Sequence, residues 1–252
     1  MTATPDPDPD DGSPAPPSEA LARALLAEGE LEVLGRIPWA SNATLLARVR
    51  HQGVERLAVY KPARGERPLW DFPSGTLYRR EVAAYLVSEG LGWGLVPLTL
   101  ARDGPFGEGS VQLFVDADPE VTAFELLASG DPALPRIAAF DVLVNNADRK
   151  AGHCLAGGDG RVWAIDHGVC FHVEPKLRTV LWDLAGQPLD PPVVAACDRL
   201  GAATAGGELG ERLRELLDGE EVAALASRAR ALARVGRLPR PRGGRSYPWP
   251  LV

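Results

Sequence analysis

The chain has 252 residues, a hydrophobic fraction of 45% and a net charge of −7 with a pI of about 5.2. That length allows one large domain or two lobes, and the apolar fraction is enough for a buried core. The negative charge argues against wholesale nucleic-acid binding, and no apolar run reaches the roughly eighteen residues of a transmembrane helix. Three scattered cysteines, Cys154, Cys170 and Cys197, do not make a disulfide framework and fit a reducing cytoplasm.

Residues 1–17 hold six prolines and four aspartates and almost nothing to bury, so disorder is expected there. They lack the basic and apolar regions of a signal peptide. Ser18 stands as an N-cap, and Leu21, Leu25 and Leu26 recur at helical spacing up to Gly29. Three strands follow: Leu31–Ile37, Ala43–Arg50 and, after the Gln52-Gly53 turn, Val54–Tyr60. The first two are joined by Pro38-Trp39-Ala40-Ser41-Asn42, and Lys61 closes the third. Arg64–Gly75, with its prolines and Trp70, reads as a loop. Leu77–Glu89 reads as a helix with Gly90 as its stop, and Glu81 lies in its first turns. Leu95–Arg102 and Ser110–Val115 supply two more strands, the latter containing Gln112 and Phe114. Beyond them helices are expected at Leu134–Val144, Val193–Leu200, Glu208–Leu217 and Glu220–Arg234. From Val222 onward there are seven arginines and no acidic residue, so this end is +7 and the remainder −14. Such a segment is expected to neutralise the acidic body in cis or stay solvated; the competing reading is a site for anionic lipid or nucleic acid.

The most informative stretch is Asn145-Asn146-Ala147-Asp148-Arg149-Lys150-Ala151-Gly152-His153, followed by Ile165-Asp166-His167-Gly168. Between Asp148 and Asp166 the chain reads as a β-hairpin around Gly157-Gly158-Asp159-Gly160. A hairpin brings its ends together, so both carboxylates can face one cleft. One carboxylate to orient a nucleophile and another to hold a divalent cation is what phosphoryl transfer requires. The chain uses 24 arginines and only three lysines, Lys61, Lys150 and Lys176, and Lys is the compact point charge suited to phosphate.

Asp148-Arg149-Lys150 with Ile165-Asp166-His167-Gly168 resembles the catalytic core of the phosphatidylinositol 3-/4-kinase-like group, and Asn146-Ala147-Asp148 resembles the corresponding loop of HipA-type bacterial kinases. The resemblance spans roughly residues 30 to 200 and points to an actinobacterial branch of that group. It implies an α+β, two-lobed protein-kinase-like fold: an antiparallel-sheet N-lobe with one main helix and a mostly helical C-lobe. The expected boundaries are 1–17 for a disordered segment, 18–116 for the N-lobe, 117–237 for the C-lobe and 238–252 for a basic Pro/Arg tail.

The resemblance further implies ATP and magnesium as cofactors. Lys61 would contact the nucleotide phosphates and pair with Glu81, chosen over Glu89 because Val82 and Tyr85 turn it toward the sheet. Backbone amides with Ser41, Asn42 and Thr44 would cover the phosphates, and the strand through Gln112 and Phe114 would lead into a hinge for the adenine. Asp148 would orient the acceptor hydroxyl, and Lys150 or Arg149 would stabilise charge on the transferred group. Asp166 would hold magnesium. Where a protein kinase has a metal-binding Asn, five residues after the catalytic Asp, this chain has His153, expected either as a nitrogen ligand or as a partner of the site. That departure keeps a nucleotide-binding pseudokinase open as an alternative, as does nucleotidyl transfer in the same cleft. A zinc site from His153, His167, Cys170 and His172 is a further alternative, although its spacing matches no common pattern. The acceptor, whether small molecule, protein or lipid, is not legible.

Overall fold

The computed structural model describes residues 18–38, 43–241, 243 and 245–252. The expected disorder of 1–17 and the phosphate-covering role of Ser41 and Asn42 lie outside the described residues.

Strands β1 (Glu30–Arg36), β2 (Leu45–His51), β3 (Val54–Pro62), β4 (Thr99–Gly104) and β5 (Gly107–Leu113) form one antiparallel sheet in the order β1-β2-β3-β5-β4. Helix α1 (Glu19–Glu28) lies against it. Ser18 caps that helix by accepting the Leu21 N–H at 3.3 Å, and Leu25 and Leu26 are fully buried against Ala47, Val49, Ala58, Tyr60 and Val111. Each such leucine contributes about 1.5–3 kcal/mol by leaving water. Most element ends differ by a few residues from the periodicity, and three in the sheet have a visible cause. Ala43 stays out of β2 because its N–H is committed to the Gly65 carbonyl at 3.1 Å. Leu95 and Val96 are not extended into β4, because both N–H groups bond the buried Ser88 hydroxyl. Strand β5 begins at Gly107 because Pro105-Phe106 makes a two-residue turn that pairs Gly104 with Gly107, at φ +96°.

Helix α2 (Leu77–Leu91) does not stop at Gly90. Gly90 sits inside the helix where Leu209 packs closely, and Gly92, left-handed at φ +67°, ends it. Almost every face of α2 is buried, and most of it belongs to the larger of two cores, shared with α4 (Leu134–Val144), α5 (Pro191–Ala205), α6 (Glu208–Arg214) and α7 (Gly219–Val235). A buried ion pair, Arg80 to Glu221 at 2.7 Å, ties α2 to α7. The sheet therefore stands on a helical base, with α2 reaching from one into the other. A short helix α3 (Ala123–Ser129), missed by the helical periodicity, precedes α4; Thr122 and Glu125 form its capping box.

The expected hairpin is present as β6 (Cys154–Ala156) and β7 (Val162–Ala164), with Gly160 at φ +75° in the turn. The C-terminal segment is not a solvated tail. Leu238 is buried in the larger core, and the Ser246 carbonyl accepts from the Thr179 N–H at 3.2 Å and the Trp182 indole at 2.7 Å. The Leu251 carbonyl accepts the Ala151 N–H at 2.8 Å. Cys154, Cys170 and Cys197 are buried free thiols. Among the described residues, no helix is long and apolar enough to cross a membrane.

Candidate active site

Strand β3 delivers Lys61 beneath the sheet, held in register opposite Ser110 of β5. Its ammonium donates to Glu81 of α2 and, at 3.0 Å, to Asp166. Burial works against that charge, but Asp166 and Glu81 outweigh it and hold the ammonium above its ordinary value. The second oxygen of Glu81 accepts the His167 N–H at 2.9 Å. One carboxylate thus fastens the sheet, α2 and the loop after β7 together.

Asp166 takes the left-handed backbone, φ +60°, which Asp tolerates better than a branched residue would. Its side chain is 47% exposed. Burial would raise its carboxyl, yet Lys61 and His153 overcome this and keep it well below the usual carboxylate range. His153 Nε2 lies 3.2 Å from Asp166 Oδ2, while Nδ1 accepts the Lys150 N–H at 3.4 Å. Burial pulls this imidazole down to about 4, so it is neutral at pH 7. A neutral ring with Nδ1 as acceptor carries its proton on Nε2 and donates to Asp166. In this geometry Nε2 faces the Asp166 carboxylate and Nδ1 the Lys150 N–H, so His153 stands as a partner of Asp166.

Asp148 follows α4 on the loop that leaves Asn145 (φ +53°). Its N–H bonds Asn146 Oδ1 at 2.9 Å, and its carboxylate stands 3.4 Å from the Lys150 ammonium. Burial pushes the Asp148 carboxyl up, Lys150 opposes this, and the nearby negative charge of Asp166 adds to the rise. Glu81 spends its two oxygens on Lys61 and the His167 N–H, which leaves Asp148 and Asp166 as the carboxylates that could meet a metal ion. An excess of negative charge on oxygen donors suits magnesium, which typically takes one or two protein carboxylates and completes its shell with phosphate and water.

Arg149 requires a correction. Its side chain is fully buried, and its guanidinium donates to Asp141, to the carbonyls of His153 (3.1 Å) and Ile165 (2.7 Å) and to His167 Nε2 (2.7 Å). All of its donors are spent inside the protein, so it cannot meet a transferred phosphoryl group. It joins the loop carrying Asp148 to the loop carrying Asp166 instead. The zinc alternative also fails. Among the described residues no three His, Cys, Asp or Glu side chains are placed to hold a metal. His167 and Cys170 are fully buried, and His172 packs edge-on against Phe72.

The remaining expected residues have partners of their own. Thr44 is buried just before β2, and its carbonyl accepts the Ile37 N–H at 2.9 Å. Gln112 is buried with its amide on the Thr99 hydroxyl at 2.7 Å, and the Phe114 N–H is taken by the Leu57 carbonyl at 3.1 Å. An adenine edge would have to use other backbone groups of that stretch. Lys176 lies away from the carboxylate cluster, paired with Asp71 at 2.9 Å. Sequence reasoning missed Asp141, the buried counter-charge of Arg149. An acid on an apolar helix, eight positions before an arginine, was the available signal.

No protein-family model matches the chain. Over part of its length, 49% of this chain and 26% of the other, it is 30% identical to phosphatidylinositol 4-kinase gamma 4 of Oryza sativa subsp. japonica. Its structure is similar to that of hydra Fam20 with sugar, with a TM-score of 0.53, 16% identity and coverage of 84% of this chain and 86% of that one. It is also similar to the Golgi casein kinase with Mn and ADP bound, with a TM-score of 0.51, 12% identity and coverage of 85% and 74%. At such identities these likenesses show the fold, which is two-lobed and protein-kinase-like. Protein Rv2133c of Mycobacterium tuberculosis (strain ATCC 25618 / H37Rv) is 47% identical over 90% of this chain and 94% of its own length, and the chain belongs to the same family as that protein.

Proposed function

We propose that the chain is an ATP- and magnesium-dependent phosphotransferase of the phosphatidylinositol-kinase-like type. The observation that carries this reading is the joining of Lys61, Glu81 and Asp166 in one hydrogen-bonded cluster, with Asp148 close enough to feel the charge of Asp166. When bound, magnesium supplies charge neutralisation across the phosphate oxygens. Lys61 contacts the nucleotide phosphates while Glu81 fixes its direction. Asp166 offers an oxygen to the metal, with His153 holding its other oxygen in place. Asp148 accepts the hydroxyl proton of the acceptor, and its raised pKa makes it a better base than a free carboxylate. Lys150, 3.4 Å from Asp148, places a positive charge where the transferred group becomes most negative.

A nucleotide-binding module without transfer is the second reading. It is favoured by His153, which occupies an oxygen of Asp166 that a second metal would use. Asp148→Asn separates the two. Under the phosphotransferase reading this variant binds ATP as the parent does but loses turnover on the order of 10²–10⁴-fold. Product mass spectrometry finding no ADP formed by the parent with any hydroxyl acceptor would favour the second reading.

A further inference from the structure

Beside the loop that carries Asp148 lies a cavity of about 640 Å³ between the segment after Asp166, helix α7 and the C-terminal segment. Small-molecule sites commonly occupy about 300–1,000 Å³. Its lining includes Lys176, Arg178, Arg228, Arg237, Arg240 and Arg245 and no Asp or Glu. Lys176 is neutralised by Asp71. The other five have no carboxylate within ion-pair distance among the described residues, so the lining carries an excess of positive charge. Two donors there are buried without a hydrogen-bond partner, Nε of Arg178 and Nη2 of Arg228. Arg228 is tethered to the Leu143 carbonyl at 2.7 Å, and burial pulls its guanidinium down to about 10, more than Cys170 and Glu221 offset. Apolar walls from Trp182, Leu232 and Val235 complete the space.

The cavity adjoins the cleft. Arg178 donates its N–H to the Asn146 carbonyl at 2.9 Å and accepts the Arg149 N–H at 3.0 Å, which straps it to the loop bearing Asp148. Its charge is felt by the Asp148 carboxylate. We propose that this cavity holds the anionic group of the phosphate acceptor: a soluble small molecule bearing a phosphate ester and a free hydroxyl that reaches Asp148. The proposal rests on the phosphotransferase reading. In the step it serves, the acceptor oxygen forms a bond to the γ-phosphorus and the bond from that phosphorus to the β,γ-bridging oxygen breaks. ADP leaves with that electron pair, and the hydroxyl proton passes to Asp148.

The test uses the full chain and inorganic pyrophosphate as probe, titrated by calorimetry at matched ionic strength in a Lys61→Met background so that the nucleotide cleft does not contribute. Saturable binding is expected, weakened at least about tenfold by Arg240→Gln with Arg245→Gln. Both arginines are exposed, so the fold survives their loss. In the otherwise unaltered chain, glycerol 3-phosphate and glucose 6-phosphate should speed ATP consumption more than glycerol and glucose. The double variant should raise the acceptor KM at least about tenfold and leave ATP affinity unchanged. The proposal is overturned if pyrophosphate shows no saturable binding, if the double variant binds it as well as its background, or if neutral alcohols serve as well as phosphorylated ones. Loss of ATP binding itself would instead strike the phosphotransferase reading.

Discussion

Arg149 and Lys150 are neighbours in the sequence with opposite fates. The guanidinium of Arg149 turns inward to Asp141 and closes a fully buried ion pair, while the ammonium of Lys150 reaches Asp148. Removing one partner of a buried pair strands the other, at a cost of about 3–5 kcal/mol. Arg149→Ala should therefore lower the unfolding free energy by about that amount in urea titrations. Lys150→Ala should leave stability nearly intact and lower turnover. Equal stability of Arg149→Ala and the parent would show that Asp141 finds another partner. The sequence made Lys61, Asp148 and Asp166 visible because each stands at a strand end or loop with a recognisable neighbour. It could not assign Arg149, because whether an arginine turns in or out depends on a counter-charge that only folding brings near. His153 was visible as a departure, but its tautomer depends on the Lys150 N–H and the Asp166 carboxylate meeting its two nitrogens.

Among the elements, α2 is the one on which the site depends. It carries Glu81 toward Lys61 and is anchored at Arg80 to Glu221 of α7. Its end is set by Gly92 at φ +67°, a backbone that costs a side-chain-bearing residue about 1–2 kcal/mol. Gly92→Ala should lower thermal stability by that much, and Gly92→Asn should recover part of it, because Asn tolerates the left-handed region. Equal melting temperatures for all three proteins would contradict the assignment of Gly92 as the helix terminator. Most elements were legible from period alone: the strands alternate, and α4 and α7 repeat at helical spacing. The misplaced boundaries share a cause. Local propensity sets a boundary at Gly90 and at Leu95, whereas the Leu209 contact and the Ser88 hydroxyl that decide them are tertiary. Helix α3 was readable after all, from Thr122 and Glu125 at capping-box spacing.

In the whole molecule, sheet and helical base are joined through α2, and the C-terminal segment closes over the loops between them. The Ser246 and Leu251 carbonyls satisfy Thr179, Trp182 and Ala151. Each such bond contributes about 0.5–1.5 kcal/mol. Truncation after Arg240 should thus lower the melting temperature by roughly 5 °C or more; an unchanged melting temperature would show that the segment does not support the loops. The central claim is that Lys61 and Asp166 form a nucleotide–metal site. Calorimetric titration of ATP into the parent, Lys61→Met and Asp166→Asn, with magnesium and then with EDTA, tests it most directly. Saturable binding to the parent is expected, dependent on magnesium and weakened at least about tenfold in both variants, with each variant still folding cooperatively. ATP binding equally well to all three proteins, or equally well in EDTA, would contradict it.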